Sequence, residues 1–256
     1  MVRAALDAAR GALAAGDTAS AEAHCRRALA AGDDSALAWT LLGQSLRRSQ
    51  PDAALAAFDR ALARDPRFAD AHFHLGNLHR EQRRSREAVA AYERALAGAP
   101  GHPSILNNLG LALEFAGDAE RAIAIYRQVL QRQPAHRQAL GNLAHLLCGR
   151  RDYAAALPLV DDYLRRYPDA DAAVWIDLGL CCEHHLNDLD RAEAAYRRAV
   201  ERDPQDAVAQ LNLGALRASR GDHEGAAAAL AAAVAGDPGR RYATTLLALT
   251  RQYLCD

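Results

Sequence analysis

Proline recurs at a fixed interval along most of this 256-residue chain. Six prolines follow one another at steps of 34, 34, 34, 36 and 34 residues, namely Pro66, Pro100, Pro134, Pro168, Pro204 and Pro238. Proline cannot continue a helix, because it lacks an amide proton and its ring clashes with the preceding turn. A constant interval between helix breakers therefore predicts an array of similar helical units rather than one irregular domain.

Small and bulky residues recur with the same interval. A first small position is occupied by Gly43, Gly76, Gly110, Ala144, Gly179 and Gly214. A second small position is occupied by Ala54, Ala88, Ala122, Ala156, Ala192 and Ala226. Four residues after each of these stands Phe58, Tyr92, Tyr126, Val160, Tyr196 or Leu230. A spacing of four places residues on one helix face, so each unit is predicted to contain two closely packed helices.

The segments between the two predicted helices carry turn residues. Gly117-Asp118 and Gly221-Asp222 are examples, and such pairs favour tight turns. A single helix pair cannot bury its apolar face, so consecutive pairs are expected to stack against each other.

This pattern resembles the tetratricopeptide repeat (TPR) family over nearly the whole chain. Trp39-x2-Leu42-Gly43 and Trp175-x2-Leu178-Gly179 match the first-helix signature of that family. The resemblance implies an all-α fold, a right-handed TPR superhelix of about seven helix pairs plus a C-terminal capping helix. We expect one solenoid over residues 1–256, with repeats at 2–35, 36–68, 69–102, 103–136, 137–171, 172–206 and 207–240 and a capping helix at 241–254.

Some units depart from the pattern. The first lacks its closing proline, with Asp33 in that place, which suits a terminal cap. The second is one residue short between its helices, and the sixth is one residue longer. Pro158 falls within the second helix of the fifth unit, where we expect it to kink the helix or to lie in its first turn.

Composition excludes several classes of function. A net charge of -1 and a pI near 6.8 argue against nucleic-acid binding. The N-terminus does not resemble a signal peptide, and no apolar stretch is long enough to span a membrane. Five cysteines, an odd number, indicate reduced thiols. We therefore expect a cytoplasmic protein with no nucleic-acid or membrane partner, and the sequence leaves oligomerisation open.

The TPR resemblance implies that first helices line a concave groove. The residue two before the first small position then faces this groove, which gives Leu41, His74, Asn108, Asn142, Asp177 and Asn212. A second row, three residues further on, consists of Gln44, Asn77, Leu111, His145, Leu180 and Ala215.

Asparagine is a poor helix-interior residue, yet it recurs in the first row. A primary amide both donates and accepts hydrogen bonds, so a column of amides can bind the backbone of an extended peptide. The alternative is that these residues are merely solvated. We predict a peptide-binding groove formed by His74, Asn77, Asn107, Asn108, Asn142, His145, Asp177 and Asn212, with Asn107 at its edge.

The asparagine column also resembles that of O-linked N-acetylglucosamine (O-GlcNAc) transferases and Spindly-like relatives. Leu41 and Asp177 depart from it, and Cys255-Asp256 matches a short segment that follows the TPR region in those enzymes. The carboxylate clamp of chaperone-binding TPR domains requires lysines in the groove, and this chain has no lysine.

The sequence predicts no catalytic, metal or cofactor site. His72 and His79 share a helix face, and "CCEHH" at 181–185 concentrates thiols and imidazoles. A zinc site needs about four convergent ligands at recognised spacing, which neither segment provides. Cys25 and Cys182 occupy positions expected in the core, Cys148 lies near the end of a first helix, and His184 and His185 fall at a helix end or turn.

Two functions remain open at this level. The first is a non-catalytic scaffold that binds an extended peptide or partner segment in its groove. The second is the substrate-recognition arm of a bacterial O-GlcNAc transferase-like glycosyltransferase, with the catalytic domain outside this chain. A third, an assembly factor for an envelope or pilus machine, would normally carry an export signal.

Overall fold

The structure, a computed structural model, describes residues 2–255, with only the backbone of Cys255. Within these residues the chain is all-helical, as predicted, with fifteen α-helices and one π-helical turn. The helices are α1 (Val2–Ala14), α2 (Thr18–Ala30), α3 (Ala36–Leu46), α4 (Pro51–Arg64), α5 (Ala69–Glu81), α6 (Ser85–Gly98), α7 (Pro103–Phe115), α8 (Ala119–Arg132), α9 (Arg137–Gly149), α10 (Tyr153–Arg166), α11 (Ala172–Cys181), α12 (Leu189–Arg202), α13 (Ala207–Ser219), α14 (His223–Gly236) and α15 (Arg241–Cys255).

Helices α1 to α14 form seven sequential pairs, and each pair falls within one of the seven predicted repeat ranges. The chain divides into two compact units, which we call unit 1 (Met1–Arg132) and unit 2 (Gln133–Asp256). Unit 1 contains the first four pairs, and unit 2 contains three pairs and α15. The single solenoid over residues 1–256 stays a prediction.

Both units use the same packing plan. In unit 1 the first helices α1, α3, α5 and α7 contact one another in order, and α2, α4 and α6 each contact the first helix that follows. In unit 2 the first helices α9, α11 and α13 do the same. Helix α15 packs on α13 and α14, where Ala243 and Leu247 complete a cluster with Leu211 and Leu230. This is the capping position that the sequence predicts for the last helix.

The first small-residue row is explained by contacts between the two helices of a pair. A Cβ atom added to Gly76 would lie 2.6 Å from the Tyr92 ring, and one added to Gly214 would lie 2.7 Å from Leu230. Such distances are shorter than van der Waals contact, so the first helix must lack a side chain where a bulky residue packs. In unit 2 Ala144 takes the glycine position, and the bulky position of that pair holds the smaller Val160.

Turns within most pairs share one local structure. Gly117 and Gly221 adopt positive φ angles of 83° and 82°. Glycine tolerates this left-handed conformation, which ends the first helix of the pair. The aspartate that follows begins the second helix, as when Asp222 accepts a hydrogen bond from the amide of Gly225 at 2.9 Å. Arg83 and Arg151 take the same backbone conformation without being glycine.

Irregular units are accommodated locally. The extra residue of the sixth repeat is absorbed by a π-helical turn at Cys182–Leu186, which ends at Asn187 with φ of 52°. Pro158 is the sixth residue of α10, so the expectation that it lies in the first turn is wrong. No helix within residues 2–255 is both long enough and apolar enough to cross a membrane.

Candidate functional site

In unit 1 the predicted groove residues bind each other. The Oδ1 atom of Asn77 on α5 accepts a hydrogen bond from the Tyr92 hydroxyl at 2.7 Å and another from Asn108 Nδ2 at 2.9 Å. Asn77 is buried and Asn108 is partly buried. The two amides belong to consecutive repeats, 31 residues apart, so this contact holds the first helices α5 and α7 together.

His74, also on α5, is largely enclosed. Its ring stacks with Phe58 at a centroid distance of 6.4 Å, and its Nδ1 atom is buried without a hydrogen-bond partner. Burial, together with the positive charge of Arg47, lowers the pKa of His74 to about 4. His74 is therefore a neutral imidazole at pH 7.

Near His74, a pocket of about 340 Å³ is open between the first helices of unit 1. Its walls include Leu13, Leu37 and Leu41 and the polar side chains of Gln44 and His74. Arg10, Thr40 and Asp70 also line the pocket, so this surface is mixed in polarity and differs from the amide column that we predicted.

In unit 2 the corresponding contact is ionisable. His145 Nδ1 on α9 lies 3.2 Å from both carboxylate oxygens of Asp177 on α11. The His145 side chain is 63% exposed, whereas that of Asp177 is only 4% exposed. A histidine at the surface thus covers a carboxylate that is almost fully buried.

These residues line a pocket of about 450 Å³, which we call the unit-2 pocket. It is formed by Arg137, Gln138, Gly141, Asn142, His145, Tyr163, Asp171, Ala173, Val174 and Asp177. Three predicted groove residues, Asn142, His145 and Asp177, therefore lie around one cavity between α9 and α11. The pocket presents an amide, a carboxylate and an imidazole, which together can donate to and accept from a peptide.

Sequence reasoning missed the aromatic wall of this pocket. The guanidinium of Arg137 donates to the Tyr163 hydroxyl at 2.9 Å and lies 4.9 Å from the ring centroid of Tyr167. Asp169 pairs with the same guanidinium at 3.3 Å. Arg137 begins α9, outside the two groove rows, and Tyr163 lies on α10, which carries neither row. The pairing of Arg137 with Tyr163 depends on packing between α9 and α10, which spacing within one helix does not reveal.

The other predicted groove residues are placed differently. Asn107 is only 3% exposed, and its place at the edge of the groove stays a prediction. An adjacent residue on a helix is rotated by about 100° and here faces the core. Asn212 is half-buried on α13 and is not among the residues that line the unit-2 pocket.

Cys25, Cys148, Cys181 and Cys182 are buried, as predicted for Cys25 and Cys182. Cys148 is buried at the end of α9, and His184 and His185 are exposed in the π-helical turn. No group of three or more histidine, cysteine or acidic side chains within residues 2–255 is arranged to hold a metal ion.

The family of the chain follows from its sequence. A model of the tetratricopeptide repeat matches in six overlapping stretches, at residues 6–50, 45–103, 75–137, 107–171, 142–207 and 185–241. The chain therefore belongs to the tetratricopeptide-repeat family. Proteins of this family are generally scaffolds for protein–protein interaction, and the repeat itself is typically non-catalytic. No curated protein shows a significant match to the chain.

Solved structures with the same fold come from several bacteria. A tetratricopeptide repeat protein from Parabacteroides merdae is 19% identical, with a TM-score of 0.65 over 98% of each chain. PilF of Pseudomonas aeruginosa is 22% identical, with a TM-score of 0.73 over 85% of this chain and 97% of that chain. MamA of Desulfovibrio magneticus is 24% identical, with a TM-score of 0.60 over 67% and 96% of the two chains. These similarities support the fold alone.

Proposed function

We propose that this protein is an interaction scaffold that binds an extended peptide segment on the surface of its first helices. The observation that carries this proposal is the unit-2 pocket, because three residues chosen from the repeat pattern and the TPR resemblance line one cavity there. We assign the groove to His74, Asn77, Asn108, Asn142, His145, Asp177 and Asn212, with the unit-2 pocket as the principal contact. A cytoplasmic location accompanies this proposal as an expectation.

Asn142, His145 and Asp177 have different roles in this proposal. The Asn142 amide would pair with a peptide backbone unit, which needs one donor and one acceptor. The Asp177 carboxylate would accept from a backbone amide or a basic side chain, after His145 turns outward. Because His145 is mostly exposed, its movement requires little loss of packing. Asn77 has a supporting role, since its carbonyl oxygen already accepts two hydrogen bonds.

The test is selection of binders from a library of random unstructured peptides against the full chain, followed by affinity measurement with variants. Asn142→Ala combined with Asp177→Asn should weaken binding of the selected peptides at least tenfold. Arg198→Ala is the matched control, since Arg198 is exposed on α12 and pairs only along its own helix with Glu201. Peptides that bind the double variant and the wild type equally well would contradict the proposal.

The alternative function, a recognition arm of an O-GlcNAc transferase-like glycosyltransferase, has weaker support. It rests on the asparagine column and on Cys255-Asp256, of which Asp256 and the Cys255 side chain lie outside the described residues. Asn108 already donates to Asn77, which leaves it less free to hold a substrate backbone. Sequencing the source gene past the Asp256 codon tests this alternative. A tryptophan codon followed by a long open frame would support it, and an immediate stop codon would exclude it.

A further inference from the structure

Two buried thiols face each other across consecutive repeats of unit 2. The sulfur of Cys148 on α9 lies 3.6 Å from that of Cys181 on α11. Both side chains are buried, with exposures of 3% and 0%. Cys148 Sγ also lies 3.8 Å from the backbone oxygen of Asp177. Neither thiol has a role in the peptide-binding proposal.

The helices that carry these thiols are held together on both sides of the pair. Three residues before Cys148, the His145 ring contacts Asp177, which lies four residues before Cys181. The two contacts are thus one helical turn apart on both helices. Since packing fixes the sulfurs close to each other, little conformational entropy is lost when they are joined.

Cys148 lies near the end of its helix, and Cys181 lies where an α-helix continues into the π-helical turn. Cys148 is the second-last residue of α9, which ends at Gly149, and Cys181 is the last residue of α11, before the π-helical turn. The end of α9 and the irregular π-helical turn open more readily than the centres of regular helices, so small solutes reach these positions more easily than a repeat core.

We propose that Cys148 and Cys181 are a site of reversible disulfide formation that links the fifth and sixth repeats under oxidation by hydrogen peroxide. The sulfurs must approach from 3.6 Å to a bond length of about 2 Å, which side-chain rotation and a slight shift of two helix ends can supply. Hydrogen peroxide is the named oxidant because it is close to water in size and can enter a site that excludes larger disulfides.

The reaction balances in two steps. The Cys181 thiolate attacks one peroxide oxygen, the O–O bond breaks, and hydroxide leaves and takes up a proton, which gives a sulfenic acid. The Cys148 sulfur then attacks the sulfenic sulfur, the S–S bond forms, and the S–O bond breaks to release water with the Cys148 proton. The two sulfurs together lose two electrons, which reduce the peroxide to two waters.

The environment distinguishes the two sulfurs. A hydrogen bond from the Cys148 thiol lowers the pKa of Cys181, because it stabilises the Cys181 thiolate. The same hydrogen bond, with burial and the negative charge of Asp177, raises the pKa of Cys148. The lowered pKa favours Cys181 as the attacking thiol, and the disulfide product is the same for either order of attack.

Other cysteines provide controls within the same chain. Cys182 is adjacent to Cys181 and fully buried, and burial raises its pKa. Cys25 lies in unit 1, where burial raises its pKa to about 11. The side chain of Cys255 lies outside the described residues, so the experiment uses a Cys255→Ser background.

The test treats the folded protein with hydrogen peroxide, quenches with an alkylating agent and maps cysteine-containing peptides by mass spectrometry. We expect the loss of two free thiols, a mass decrease of two hydrogens, and a peptide linked through Cys148 and Cys181 that dithiothreitol releases. Cys148→Ala and Cys181→Ala should each abolish the linked peptide, whereas Cys182→Ala should retain it.

Thermal unfolding gives a second readout. The bond would close a segment of 33 residues in the unfolded chain, so the oxidised protein should unfold at a higher temperature. This increase should disappear on reduction and should be absent in Cys148→Ala. Retention of both thiols in peroxide, or a linkage between Cys181 and Cys182, would overturn the proposal. Neither outcome depends on whether the groove binds a peptide.

Discussion

Units 1 and 2 join consecutive first helices through the same two repeat positions, but with different side chains. In both units a second-row residue of one repeat contacts a first-row residue of the next, through Asn77 and Asn108 in unit 1 and through His145 and Asp177 in unit 2. The unit 1 contact is neutral, enclosed and connected to the Tyr92 hydroxyl. The unit 2 contact is ionisable and opens onto a pocket.

This difference predicts that the unit 1 contact stabilises the stacking of repeats, whereas the unit 2 contact, at the equivalent repeat position, can take part in ligand binding. A buried amide whose carbonyl oxygen already accepts two hydrogen bonds stabilises the stack, because removing it would leave buried partners without an acceptor. An exposed histidine over a buried carboxylate contributes less to stability and can exchange its contact for one with a ligand. The comparison predicts that the two contacts differ in their cost to stability and in their effect on binding.

The largest loss of stability is expected at the first-helix glycines, because in both units a bulky ring or leucine of the second helix packs where a side chain would otherwise be. Gly110→Leu places a branched side chain against the Tyr126 ring and should destabilise the protein by about 3 kcal/mol, measured by urea unfolding. Gly11→Leu is the matched control, since a Cβ atom there meets nothing within 4 Å. A neutral Gly110→Leu would mean that the assignment of the small row is wrong.

Asn77→Ala should cost about 2 kcal/mol, because the Tyr92 hydroxyl would be left buried without its acceptor. The same urea unfolding experiment measures this cost. Adding Tyr92→Phe should recover part of the loss, since the orphaned hydroxyl is then removed. If the double variant is less stable than the sum of the single changes predicts, the hydroxyl–amide contact is not the source of the effect.

Unit 1 should also lose stability in mild acid through His74. Its folded pKa of about 4 lies below the usual value of 6.5, so between these values the unfolded chain binds a proton that the folded protein does not. Stability from the neutral ring is complete above pH 6.5 and falls as the pH decreases toward 4. From pH 7 to pH 5 the expected loss is about 1–2 kcal/mol.

His74→Phe keeps a ring beside Phe58 but cannot titrate. Unfolding of both proteins by urea at pH 7 and pH 5 should show a smaller acid-dependent loss in the variant. Equal losses would show that other groups account for the acid sensitivity.

The smallest effect is expected from His145→Ala in unit 2. Because this side chain is mostly exposed, its removal lets water reach the Asp177 carboxylate, and the cost should be below about 1 kcal/mol. Comparing the loss in free energy of unfolding for His145→Ala with that for Asn77→Ala measures how differently the two contacts contribute to stability. A cost above about 2 kcal/mol would show that Asp177 stays dry and that the unit 2 contact is also structural.

Much of the fold was predictable because the repeat residues act within one helix pair. Prolines at a constant interval, Gly-Asp turns and the small rows depend on local spacing, so the helix pairs fall in the predicted ranges. Arg83 and Arg151 show the limit of this reasoning, since no glycine marks their positive φ angles.

The site was less predictable because it depends on distances between repeats. Spacing placed Asn142, His145 and Asp177 on one surface but did not reveal the contact between His145 and Asp177. Nor did it reveal that Asn77 binds Asn108, or that Asn107 is rotated into the core. These features require the separation of adjacent first helices, which no single repeat specifies.

The steric match between Gly76 and Tyr92 lies wholly inside one repeat, whereas the pairing of Asn77 with Asn108 joins two. If a gene segment for one repeat is duplicated or moved, the glycine and the bulky residue that fit each other are copied together. The two helices of the new repeat can therefore pack against each other without compensating changes. The polar contacts belong instead to the order of the repeats and are lost when that order changes. Arrays of this kind can therefore lengthen by recombination, while the contacts between copies are left for later point mutations to adjust.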